Sequence, residues 1–151
     1  MKIEIVNVES IQALTIKDSC TAKELSKKYQ ELYSEIGKVI KEQSLKVSSM
    51  PFGIYHSFSL EHVDVEAGIP VEGTPKPEGR VNVINTYSGN AARATFIGPY
   101  EKLGDAWDEF FKWMGENGFI PGFPCYEIYV TDPANEADNS KWQTDLYFPL
   151  P

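Results

Sequence analysis

Phe123-Pro-Cys-Tyr-Glu-Ile-Tyr-Val-Thr-Asp-Pro133 decides how this chain is read. Aromatic and β-branched residues dominate it and proline closes it, so it reads as a β-strand with one carboxylate, Glu127, in its middle. Side chains alternate along a strand, which puts Cys125, Glu127 and Tyr129 on one face and Tyr126, Ile128 and Val130 on the other. A carboxylate set among rings costs free energy unless it is paired, protonated or wet. Two readings follow: an edge strand with Glu127 in water, or a pocket whose cationic or hydrogen-bonding aromatic ligand gives the carboxylate a purpose.

An earlier segment carries the same pattern. Phe52-Gly-Ile-Tyr-His-Ser-Phe58 matches Phe123–Tyr129 position by position, with His56 at the place of Glu127. Each segment follows a helical pattern and precedes another strand, which points to a duplicated strand-helix-strand-strand unit. On this reading His56 stands opposite Glu127, where two roles are open: a partly exposed strand histidine, or a partner that holds the carboxylate ionised.

Outward from these segments the elements are legible. Residues 3–17 read as a strand broken near Ser10. Thr21-Ala-Lys-Glu24 is a capping box opening a helix to about Ser44, with Ala22, Leu25, Tyr29, Leu32, Ile36, Val39 and Ile40 spaced by threes and fours. Strands at 52–58 and 62–71 form a hairpin through Ser59–Glu61. The proline- and glycine-rich residues 73–79 form a linker between pseudo-repeats 1–72 and 80–151 of a single domain. Strands at 80–87 and 92–98 follow. A second helix then runs from Gly98-Pro99 to about Asn117, with an apolar stripe of Leu103, Ala106, Trp107, Phe110, Phe111 and Met114, and Gly118 at its C′ position. The expected fold class is α+β: an antiparallel sheet with two helices on one face and a central ligand cleft on the other, the latter carrying His56, Phe58, Glu127 and Tyr129.

Composition narrows the function. At 151 residues the chain makes one domain with a real core. No apolar run reaches transmembrane length and no basic-then-apolar leader opens the chain, so the expectation is a cytoplasmic protein with no membrane partner. The net charge of −8 argues against direct nucleic-acid binding and suits cationic small molecules. Cys20 and Cys125 lack metal-ligand spacing and read as reduced structural thiols; no metal site and no cofactor are expected. Asp132–Asp138 lacks the glycine and terminal glutamate of a calcium loop and reads as a solvated loop. His62 reads as a surface residue of the hairpin.

Gly98-Pro-Tyr-Glu-Lys-Leu-Gly104, the aromatic helix after it, Tyr126-Glu-Ile-Tyr-Val-Thr-Asp-Pro133 and Thr144-Asp-Leu-Tyr-Phe-Pro149 together resemble the GyrI-like family, also called the AraC-type effector-binding domain. The resemblance covers nearly the whole chain. It implies a tandem strand-helix-strand-strand repeat with a central pocket for small, often cationic and aromatic molecules. It also implies that Glu127 is the pocket glutamate and that Tyr147 is the pocket tyrosine of the last strand, with Tyr55 and Phe58 as early-hairpin aromatics. Many members carry a DNA-binding helix-turn-helix, and residues 1–20 hold none, so a transcription factor acting alone is not expected.

The leading function is a sensor or sequestering protein. Glu127 contacts the ligand, and Tyr55, His56, Phe58, Tyr129, Tyr147, Trp107 and Trp113 supply the rest of the site. The first alternative, implied by the resemblance, is a hydrolase of reactive cyclopropane-type or other xenobiotic molecules, with Glu127 as the catalytic general base. The second is a gyrase-inhibitor-like module that binds a protein partner.

Overall fold

A computed structural model describes all residues, 1–151. The first strand region breaks at residues 9–11 into β1 (Lys2–Val8) and β2 (Gln12–Cys20). A single 3-10 turn over Ala22–Glu24 then leads into α1 (Leu25–Glu42). The capping box forms as expected: the Glu24 side chain accepts the Thr21 amide at 3.1 Å. β3 (Lys46–Val47), β4 (Phe52–Phe58), β5 (Val63–Glu72), β6 (Asn82–Asn85) and β7 (Gly89–Ile97) follow. Gly98 and Pro99 start a second 3-10 turn into α2 (Leu103–Glu116), and β8 (Cys125–Tyr129) and β9 (Gln143–Pro149) complete the chain. α2 stops because Gly118 takes φ +79, a left-handed conformation that glycine adopts without strain. That turn lets the Phe119 amide reach back to the Met114 carbonyl at 2.9 Å.

All strands join one antiparallel sheet in the order β1-β7-β9-β8-β4-β5-β2-β6, with β3 added to the end of β5. The pair at its centre is β4 with β8. From that pair the sheet runs outward one way through β5 and β2 and the other way through β9 and β7. Each side is then closed by a strand from the other part of the chain. β1 precedes β2 in sequence but pairs with β7, whereas β6 precedes β7 but pairs with β2.

Both helices lie on the same sheet face. Leu32, Ile36 and Val39 of α1 and Ala106, Phe110 and Met114 of α2 share one continuous core with inward strand residues such as Ile16, Val65, Ala94 and Leu146. Glu127 is on this face too, because its direct partners across the ladder are Gly53 on β4 and Leu146 on β9. The expected α+β antiparallel architecture with two helices is therefore present, but the carboxylate sits under the helices and not on the opposite face. Strand alternation separates two faces without saying which one the helices cover.

The seven-residue correspondence between β4 and β8 does not hold in three dimensions. Tyr55 pairs with Cys125 and faces the helices, while Tyr126 pairs with Ile54 and faces away. A β-bulge between Tyr55 and Ser57 then resets the alternation, so that Phe58, opposite Val63, returns to the helix side. His56 consequently points to the outer face. No helix is long and apolar enough to cross a membrane.

Candidate functional site

Glu127 is 2% exposed. No lysine, arginine or histidine lies within salt-bridge distance of it. Burial drives its pKa up to about 7; hydrogen-bonding groups of Tyr55, Trp107 and Tyr129 act in the other direction by favouring the charged form. The best-defined of these contacts is the Trp107 indole N–H, which donates to Oε1 at 3.4 Å. A lone carboxylate in this position takes or releases its proton near neutrality.

Rings from four parts of the chain enclose it. Trp107 comes from α2 and meets the Tyr55 ring edge-on at 6.2 Å. Phe58, half-exposed, also meets the Tyr55 ring edge-on, at 6.0 Å. From α1, Tyr29 and Tyr33 lie one turn apart and stack at 5.6 Å with 9° between planes. Both present their faces or edges to Tyr129, at 6.0 and 6.5 Å. Tyr100, in the turn before α2, packs on Tyr129 at 5.6 Å and on Trp142 at 4.8 Å. Burial and the nearby carboxylate push the phenol pKa values of Tyr29, Tyr33, Tyr55 and Tyr129 upward, so these residues present neutral hydroxyls.

Of the residues singled out from sequence, Glu127, Tyr55, Phe58, Tyr129 and Trp107 come together here. His56 does not. Its Nε2 is 2.8 Å from Oε1 of Glu66, a buried carboxylate that also accepts the Thr15 hydroxyl at 2.7 Å. This network belongs to the outer face, so His56 neither meets nor charges Glu127. Tyr147 is also on the outer face: the register sets Glu127 against Leu146, and Tyr147 stacks on Tyr126 at 4.7 Å. Trp113 lies beyond the cage on α2, stacked on Phe119 at 6.1 Å. Two of the surface depressions, each of about 440 Å³, lie beside Trp113 and beside His56, and neither of these is lined by Glu127.

Sequence reasoning missed Tyr33, Tyr100 and Trp142 and took Tyr29 for ordinary core. It also passed over Gly53. A Cβ at position 53 would sit 2.2 Å from the Tyr29 hydroxyl, so only glycine leaves room for that oxygen. A glycine inside an aromatic strand was the available signal, since such glycines mark a close approach.

A family model described as the GyrI-like small molecule binding domain matches residues 1–151. The chain belongs to the GyrI-like family. It is a small-molecule-binding domain of that family, in keeping with the resemblance carried by its motifs. No curated protein matches it. Among solved structures, the C-terminal domain of EcmrR is similar, with a TM-score of 0.88 at 20% identity over 99% of this chain and 97% of that one. In the EcmrR–DNA complex the TM-score is 0.86 at 21% identity, over 99% of this chain but 57% of that one, so the GyrI-like chain spans little more than half of that protein. SAV2435, solved bound to tetraphenylphosphonium, is similar with a TM-score of 0.67 at 14% identity, over 100% of this chain and 94% of that one. A hydrolase of Listeria innocua encoded by lin2189 gives a TM-score of 0.64 at 17% identity, over 99% and 92%. At these identities the likeness is one of fold.

Proposed function

We propose that this GyrI-like domain binds a hydrophobic aromatic cation, with Glu127 as its counter-charge and Tyr55, Trp107, Tyr129 and Phe58 as the surrounding rings. The carrying observation is a buried carboxylate that has aromatic walls and no cation of its own. Such a site is costly when empty and gains when a cation enters. Ring faces attract positive charge, and in a dry environment the ion pair is weakly screened. SAV2435 bound to tetraphenylphosphonium shares the fold, which supports a ligand of this class. The rings close over Glu127, so entry requires outer rings to swing aside; half-exposed Phe58 and the partly buried Tyr100–Trp142 pair are the least encumbered.

The direct experiment is calorimetry with tetraphenylphosphonium on the wild type and on Glu127→Gln. Removing the buried charge should weaken binding by roughly 30-fold or more, the lower end of what losing one partner of a buried charge pair costs. Equal affinities, or no binding to the wild type, would refute the reading.

One observation supports a second reading, hydrolysis of a strained or activated molecule. A carboxylate that titrates near pH 7 is suited to accept a proton from water. Mass spectrometry of recovered compounds separates the two: an intact ligand means binding alone, and a gain of one water means turnover.

A further inference from the structure

We infer that the Tyr29 hydroxyl is a second, specificity-determining contact, and that the preferred ligand is an aromatic cation carrying N–H donors, such as a protonated amine or an amidinium, rather than a quaternary ammonium or phosphonium. The inference rests on the reading of Glu127 as the counter-charge.

Tyr29 and Tyr33 are stacked neighbours on α1, yet their hydroxyls fare differently. Tyr33 donates to the Phe52 carbonyl at 2.6 Å. The Tyr29 oxygen is buried and has no hydrogen-bond partner. The Tyr55 and Tyr129 hydroxyls come close enough to lower its pKa as hydrogen-bonding groups against the burial that raises it, but no contact to the Tyr29 oxygen has full hydrogen-bond geometry. Buried hydroxyls without partners are rare and costly, so an orphan needs an explanation.

Its position supplies one. The oxygen rests against Gly53, and Gly53 is the direct partner of Glu127 across the β4–β8 ladder. Backbone conformation does not account for this glycine, since its φ lies outside the left-handed region. Space for the Tyr29 hydroxyl does. Two adjacent polar groups on the helix face thus lack what each needs: Glu127 lacks a cation, and Tyr29 lacks a hydrogen-bond partner. An ammonium or amidinium group satisfies both, giving one N–H to the carboxylate and another to the neutral phenol oxygen. A trimethylammonium or tetraphenylphosphonium ion brings charge alone and leaves the hydroxyl orphaned.

The test uses a matched pair, 4-phenylbenzylammonium and its N,N,N-trimethyl analogue, which have the same ring system and charge. Affinities are measured calorimetrically at pH 8 for the full chain and for Tyr29→Phe and Gly53→Ala, with folding checked by thermal unfolding. The alanine methyl displaces the hydroxyl without deleting it, so the two variants reach the same contact by different routes. The expected result is wild-type preference for the ammonium, and a loss in Tyr29→Phe that is about tenfold larger for the ammonium than for the trimethyl compound. Gly53→Ala should shift the ratio the same way. Binding of both compounds to the wild type with equal losses, or with no loss, in Tyr29→Phe overturns this inference and leaves Glu127 as counter-charge standing. Failure of both compounds to bind the wild type overturns the counter-charge reading and this one with it.

Discussion

Trp107 donates its indole N–H to Glu127 across 3.4 Å, linking α2 to the centre of the sheet. This contact favours the ionised carboxylate against the burial that opposes it. Trp107→Phe keeps a ring in place and removes the donor, so the Glu127 pKa should move above about 7. Carboxyl NMR titration of labelled glutamate would show the shift. An unchanged midpoint would reduce Trp107 to a packing residue.

The same carboxylate makes stability depend on pH. Its folded pKa, about 7, is above its ordinary value of 4.5, so the folded state holds the proton more tightly than the unfolded chain does. The resulting stabilisation is complete below pH 4.5 and is lost as the pH rises through 7. Glu127→Gln cannot ionise and escapes that loss. Its stability advantage over the wild type should grow between pH 4.5 and 7 and level off above, reaching on the order of 3 kcal/mol. Paired urea titrations at pH 5 and pH 8 measure it, and a gap that does not widen would contradict a buried, unpaired Glu127.

Cation affinity should run the other way. Only the ionised form attracts a cation, so affinity for tetraphenylphosphonium should rise with pH below 7, by up to about tenfold per unit, and flatten above it. Linkage requires binding to release protons in the same range. Isothermal titration in two buffers of different ionisation enthalpy counts those protons. The slope should vanish in Glu127→Gln.

His56 has a structural task on the outer face. Glu66 is 4% exposed and relies on His56 and Thr15 for its hydrogen bonds. His56→Ala leaves a buried carboxylate short of one partner and should cost about 1–3 kcal/mol in a denaturation experiment. It also removes the side-chain contact made by the residue inside the bulge between Tyr55 and Ser57. His56→Gln, which can still donate to Glu66, should recover most of the loss.

Much of this was legible in the residues. The Thr21–Glu24 box, the stripe of α1, Gly98-Pro99 before α2 and Gly118 after it all act locally, and local rules place them. Glu127 stood out because a carboxylate among rings demands an account wherever the strand lies. What escaped depends on phase between strands. Tyr147 and Leu146 are adjacent in sequence, and which one joins Glu127 depends on the β8–β9 register, which side-chain alternation within β9 leaves open. The β4–β8 register already puts Tyr55 and its sequence counterpart Tyr126 on opposite faces, ahead of the bulge, and that defeats a position-by-position comparison. Tyr29 and Tyr33 were hidden for a different reason: an aromatic residue on the inner stripe of a helix looks the same whether it fills a core or walls a site.

The crossing of β1 to β7 and of β6 to β2 makes the molecule an interlocked pair and not two beads on a string. Each part of the chain lends the other its outermost strand, so neither can swing away without unzipping a ladder. Seven residue pairs hold β1 and four hold β6, in addition to the central β4–β8 seam. A protease nick in the exposed loop at 73–79 should therefore leave two fragments that migrate as one particle under native conditions and part only in denaturant. The same interlock keeps the two helices at a fixed spacing over the sheet, so the cage around Glu127 is expected to open by turning rings and not by spreading the two parts of the chain.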